Sequence, residues 1–224
     1  MFISRIAILI VVALLAINVN AKDCLKSNGY TSGFTVSSFN TYYPTGGSTV
    51  PLSFFEVGDT SVDFQGKRMR VNYEIIMSGV PVMNGSLWGF GDTNTMYILS
   101  EGICKTAPLG FPIPQGFVNG SVVGTTKLGQ FEVEVWNIPT EAPNTQTMFY
   151  DKHTCSGVSS IVNNNDPSSP GASTMLFFEF IDTYTESFFT LPPQCTQPNA
   201  PIAAFTSMQD AFPHIPKSIL HQLR

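Results

Sequence analysis

Apolar and polar side chains alternate through the middle of this chain. Between Gly66 and Ile75, Met69, Val71, Tyr73 and Ile75 fall on one side of an extended backbone, and Arg68, Arg70, Asn72 and Glu74 on the other. A period of two is that of a strand with one buried face. Gln130–Trp136 repeats it, with Phe131, Val133 and Val135 predicted inward and Glu132 and Glu134 outward. The basic outward pair of the first strand and the acidic pair of the second could meet across a solvated face, for about 0.2–1 kcal/mol each. Thr95–Ser100, Ser121–Thr125, Gln146–Tyr150 and Met175–Ile181 read as further short strands. Ser53–Val57 and Ser61–Gln65 read as a hairpin about Gly58-Asp59. The breaks fall at Gly, Pro and Asn clusters, and Val162–Pro170 reads as a loop. No helical period occurs before Gln209; one short helix is predicted at Pro216–Leu223, with Pro216 in its first turn. The elements predict a mainly all-β fold on a large antiparallel sheet, one domain over residues 22–199 followed by a tail, 200–224.

Residues 1–21 depart from this pattern. Arg5 precedes an unbroken apolar run from Ile6 to Ile17, and Val19-Asn20-Ala21 puts small residues at a cleavage site. As a helix that run is about 18 Å long, well short of the roughly 30 Å hydrocarbon core of a bilayer. This is the pattern of a secretory signal peptide, and it implies an oxidising compartment. The leader also explains the positive mean hydropathy of +0.11. Charged residues make up 12% of the chain and the net charge is -5. So sparse and acidic a set excludes a coiled coil, a charge-rich disordered tail and a nucleic-acid binder.

Four cysteines, Cys24, Cys104, Cys155 and Cys195, follow the leader. In a secreted chain they predict two disulfides, with three connectivities open. Two glycosylation sequons, at Asn84 and Asn119, each contain Asn-Gly and read as exposed turns.

Catalytic signatures are missing. The three histidines are His153, His214 and His221, and GxSxG, HExxH, GxGxxG and P-loop motifs do not occur. His153, beside Asp151 and near Cys155, is the one candidate base, and Cys155 is expected in a disulfide. The chain reads as a non-enzyme without an organic cofactor. Calcium is the one candidate ion, with no ligands assigned: Asp92-Thr93-Asn94 and Asn163–Asp166 group oxygen atoms, but neither continues into a twelve-residue calcium loop. Turns capped by their own Asx side chains account for both segments more simply.

Aromatic residues recur on most of the predicted strands. Phe177-Phe178 and Phe188-Phe189 would point to opposite faces of a strand, so both faces would be apolar there. Periodicity leaves a filled core and a ligand pocket both open.

Three segments resemble the ependymin family: SVDFQGKRMRVNYEI (Ser61–Ile75), VEVWNIPTEAPNTQTMFYDKHTCSGVSS (Val133–Ser160) and FFEFIDTYTESFFTLPPQC (Phe177–Cys195). The order and spacing of the cysteines fit as well. The resemblance implies a curved antiparallel two-layer sheet, similar to the LolA-like bacterial lipoprotein carriers, enclosing a hydrophobic pocket. It implies disulfides Cys24–Cys155 and Cys104–Cys195; a further family bridge has no cysteines here. It also implies a secreted or lysosomal glycoprotein, with homodimerisation common in the family. The expected function is binding of a lipid or other apolar molecule, with a pocket lined by Val71, Tyr73, Ile75, Phe131, Val133, Val135, Phe178 and Phe180. The alternative is calcium-dependent cell–matrix adhesion, with extracellular matrix or a membrane surface as partner and no enclosed ligand.

Overall fold

The computed structural model describes residues 27–42, 51–79, 81–109, 113–114, 116, 120–140, 144–151, 153–154, 156–196 and 203–204. The expected signal peptide, Cys24, Asn119, Cys155 and the predicted helix Pro216–Leu223 lie outside them. Twelve strands form one sheet: β1 (Gly29–Thr41), β2 (Leu52–Asp63), β3 (Arg68–Ile76), β4 (Met83–Phe90), β5 (Thr95–Ser100), β6 (Ile103–Pro108), β7 (Ser121–Leu128), β8 (Phe131–Ile138), β9 (Asn144–Asp151), β10 (Ser156–Asn164), β11 (Ala172–Ile181) and the two-residue β12 (Ala203–Ala204). Their order is β12-β6-β5-β4-β3-β2-β1-β11-β10-β9-β8-β7. All pairings are antiparallel except β12 with β6.

Two meanders, β1–β6 and β7–β11, are thus joined where β1 pairs with β11. The link from β6 to β7 connects opposite edges of the antiparallel sheet. Strands lie about 4.8 Å apart, so a flat sheet would separate those edges by about 48 Å. The thirteen Cα steps from Pro108 to Ser121 reach at most about 43–47 Å fully extended. The sheet therefore curls. Leu109 and Ile113, both buried, belong to this link and reach Gly89 on the inner face of β4.

Several predicted elements hold. β3 buries Met69, Val71, Tyr73 and Ile75, as its alternation required. Phe177 and Phe178 do take opposite faces. Other expectations are corrected. Leu52–Asp63 is one strand, not a hairpin about Gly58-Asp59. Gly58 is not a turn glycine: the Phe34 ring and the Asn72 carbonyl occupy the space its side chain would need. Asn84-Gly85 also lies within a strand, β4, because the Tyr73 ring lies against Gly85. Phe188-Phe189 belongs to a 3-10 turn, Glu186–Phe189, rather than a strand. The basic residues of β3 and the acidic residues of β8 are six strands apart and do not meet.

After β11 the chain crosses the outer face of β3–β6 as a strap. It comprises the 3-10 turn and a single helical turn, α1 (Pro193–Thr196). Arg68 holds its start, pairing with Glu186 at 2.5 Å and, on the other side, with buried Asp63. The Arg68 guanidinium also stacks 4.7 Å from the Phe189 ring, and that of Arg70 lies between Trp88 and Phe188. The Trp88 indole donates to the Phe188 carbonyl at 3.1 Å. The Cys104–Cys195 disulfide, the pairing the resemblance implies, closes the strap on β6.

Candidate ligand-binding face of the sheet

The strap lies entirely on the outer face, so the inner face is built by the strands and the β6–β7 link. Following the register across the sheet, Ile75, Glu56, Val36, Met175, Ser160 and Met148 form one row from β3 to β9. All six are buried. Flanking rows add Leu87, Val71, Tyr73, Phe34 and Val62 on β1–β4, so the wall is mostly apolar there, while on β9–β11 Val162 alternates with the buried polar Ser173, Gln146 and Asn144. Glycines at 58, 85 and 89 let large side chains lie flat against it: Phe34 over Gly58, Tyr73 over Gly85, Leu109 and Ile113 over Gly89. The backbone polar groups of this face are spent in the ladders.

Glu56 interrupts this surface. Its residue is 1% exposed, and both carboxyl oxygens are buried without a hydrogen-bond partner. Burial pushes its carboxyl well above the usual carboxylate range, which favours the neutral acid. Burial also raises the Tyr73 phenol, and the neighbouring Glu56 adds to that shift. Thr60, four residues along the same strand, has a buried hydroxyl that is likewise unpartnered. Two other buried polar side chains of this face are partnered: Ser32 donates to the Phe178 carbonyl at 3.0 Å, and Gln146 donates to Ser160 at 2.9 Å.

The predicted lining residues separate. Val71, Tyr73 and Ile75 are on the inner face and buried. On β8 the register gives the inner face to Glu134, Trp136 and Ile138. Phe131, Val133 and Val135 occupy the opposite face, where Val133 is buried, Val135 half-buried and Phe131 59% exposed. Both alternating sets of β8 are apolar at points, so the period alone could not say which set turns inward. Phe178 and Phe180 also part. Glu179, at φ 52°, sits in a bulge that shifts the β1–β11 register. Phe180 turns inward and stacks on Tyr30 at 5.2 Å, while Phe178 covers Gly33 on the outer face and is 42% exposed. Phe34, Val36, Glu56 and Thr60 are not among the predicted lining residues, because the alternation predicts no strand over Gly29–Thr41 and a hairpin, not one strand, over Leu52–Asp63. Read as one strand, Leu52, Phe54, Glu56, Thr60 and Val62 share one parity, and that pattern places Glu56 inward.

A profile of the ependymin domain, in its amoebozoan form, matches residues 22–219. The chain belongs to the ependymin family. An uncharacterised protein of Dictyostelium discoideum is 31% identical over 176 residues, covering 77% of this chain and 56% of that protein. The chain thus spans little more than half the length of that relative. Among solved structures, an uncharacterised conserved protein of Thermus thermophilus is similar over 83% of this chain and 97% of its own, at 12% identity and a TM-score of 0.44. The Pseudomonas aeruginosa MucA/MucB complex is similar over 78% of this chain and 59% of its own, at 10% identity and a TM-score of 0.37.

The remaining candidate sites of this ependymin-family chain have structural partners. Asp92 pairs with Lys67 at 2.9 Å, and Asn94 occupies a turn at φ 49°. Asp166 accepts from the amide and hydroxyl of Ser168 at 2.8 and 2.6 Å. The Asn164 amide donates to the carbonyls of Asn40 and Ser169, tying the β1 and β10 ends together. Among the described residues no group of three His, Cys, Asp or Glu side chains is placed to hold a metal. Asp151 accepts from the amides of His153 and Thr154, capping the turn that follows β9. Asn84 is exposed. Among the described residues no helix is long and apolar enough to cross a membrane.

Proposed function

We propose that this ependymin-family chain is a secreted or lysosomal glycoprotein that binds an apolar ligand, a lipid in the first instance, against the inner face of its curled sheet. The observation that carries the reading is that face: an apolar wall spanning both meanders, flattened by glycines, with its strap on the other side. Enclosing an alkyl chain there would gain about 0.8 kcal/mol per CH₂ group. Val71, Tyr73 and Ile75, joined by Phe34, Val36, Met175 and Phe180, are the residues we assign to the wall. Phe131 and Phe178, which face outward, are not assigned to it. The exposed Asn84 side chain suits the glycoprotein part of the reading.

The direct test is extraction of the purified secreted protein followed by lipid mass spectrometry. A stoichiometric lipid, and a rise in Tm on adding long-chain amphiphiles to the stripped protein, are the expected results. Protein that carries no lipid and shows no thermal shift with any amphiphile would sink the proposal. Calcium-dependent adhesion has no comparable observation in its favour, because Asp92 is paired with Lys67 and Asp166 with Ser168.

A further inference from the structure

We infer that Glu56 is the polar anchor of the binding face, and that the ligand class it selects is an amphiphile whose polar end is a protonatable amine. The inference rests on the apolar-ligand reading above and names the head group that reading leaves open.

A buried charged or hydrogen-bonding group without a partner is costly, and native proteins rarely retain one without use. Glu56 offers two oxygens, and neither is satisfied within the chain. No countercharge stands near it on its own part of the sheet. Arg68, Arg70 and Glu74 of β3, and Asp59 and Asp63 of β2, all lie on the outer face, and β1 carries no charged residue. The titratable side chains that share the inner face are Tyr73 of β3 and Tyr30 of β1, with Lys127 on β7, Glu132 and Glu134 on β8, Tyr150 on β9 and Lys105 on β6 farther round. The site is a single acid set in hydrocarbon, between Val36 and Ile75.

Three head groups can be compared against that setting. A fatty acid would bring a second acid beside the first, in a chain already at net charge -5, and the pair would resist ionisation. An alcohol can satisfy one oxygen with its single proton. An ammonium group has three donors and the charge that the carboxylate lacks, so it forms charge-assisted hydrogen bonds that leave the buried pair neutral as a whole. The alkyl chain then follows the apolar row toward Met175 and Met148. Because burial favours the protonated acid in the empty protein, pairing displaces one proton: Glu56–COOH and R–NH₃⁺ give Glu56–COO⁻···⁺H₃N–R and a proton released to solvent. Affinity for the amine should therefore rise with pH while the amine stays charged.

The test uses the full secreted chain, stripped of lipid, with dodecylamine, 1-dodecanol and dodecanoic acid each below its micelle concentration. Titrations are run on wild type and Glu56→Gln. Dodecylamine is expected to bind at least about tenfold more tightly than dodecanol to wild type. Glu56→Gln should bring the two to parity. Calorimetry of wild type in buffers of different ionisation enthalpy should show about one proton released per amine bound, a reading that needs no variant. If dodecanol or dodecanoic acid matches the amine, if Glu56→Gln leaves the amine preference intact, or if no proton is released, the anchor assignment fails and the apolar-ligand reading stands. If none of the three probes binds, both fall.

Discussion

Glu56 also makes a prediction that needs no ligand. In the unfolded chain this carboxyl titrates near 4.5, and in the folded chain burial holds it well above that value. The folded state thus keeps a proton that the unfolded state gives up. Its contribution to stability is fully present below the unfolded value and is lost as pH rises through the window up to the folded pKa. Within that window each pH unit removes about 1.4 kcal/mol of stability. Glutamine has the same shape and does not titrate, so the Glu56→Gln protein lacks this slope. One kcal/mol moves Tm by about 2–4 °C in a chain of this size. The Tm advantage of Glu56→Gln over wild type should therefore grow by about 3–6 °C between pH 5 and pH 6. Asp63 and Glu186 have carboxyl pKa values lowered by their partners, so they titrate below this window and are common to both proteins. The assay is thermal unfolding of the two stripped proteins, followed by near-ultraviolet circular dichroism across pH 4–8. Parallel curves would refute the reasoning, because they would mean that Glu56 meets water or a partner in the folded chain.

Other perturbations follow from the same contacts. Cys104→Ser opens a bridge between residues 91 apart in sequence; the chain-entropy loss is about 4–5 kcal/mol, so Tm should fall by about 8–20 °C on the same size scaling, about 2–4 °C per kcal/mol. Arg68→Ala strips the guanidinium from the buried Asp63 carboxylate and should lower stability by on the order of 3 kcal/mol at neutral pH. Burial alone would raise Asp63, but the Gly66 amide, Arg68 and Tyr184 outweigh it and lower its pKa. The Arg68→Ala deficit should therefore be present above the ordinary carboxylate range and shrink as pH falls through it, which denaturant titrations at pH 3 and pH 7 would show. Phe34→Ala empties a fully buried site over Gly58 and should lose about 3–5 kcal/mol in urea melts. Phe178→Ala, half exposed on the outer face, should lose well under half of that and leave lipid content unchanged. Asn84→Gln should remove one glycan-sized increment from the mass of the secreted protein.

The amino-acid sequence by itself determined the class of fold. Where one face of a strand is charged and the other apolar, as in Arg68–Ile76, the period of two assigns each side chain to its face, and the structure agrees residue by residue. The ordered aromatic and cysteine segments were enough to mark the family, and with it the Cys104–Cys195 bridge. Glycine was the first point at which local reading failed. Gly58 and Gly85 carry turn-forming sequence around them, yet each lies mid-strand because an aromatic ring from a neighbouring strand needs the space of the missing side chain. That need arises from residues outside any local window. The faces of β8 and β11 were the second. Phe131, Val133 and Val135 alternate as cleanly as the β3 residues, but Trp136 and Ile138 on the other parity are equally apolar, so only the pairing with β9 decides. The bulge at Glu179 then splits Phe178 from Phe180. The curl of the sheet follows from the reach of the β6–β7 link and from the β1–β11 pairing. These are long-range facts, and with them the tertiary structure alone placed an acid, Glu56, in the middle of hydrocarbon.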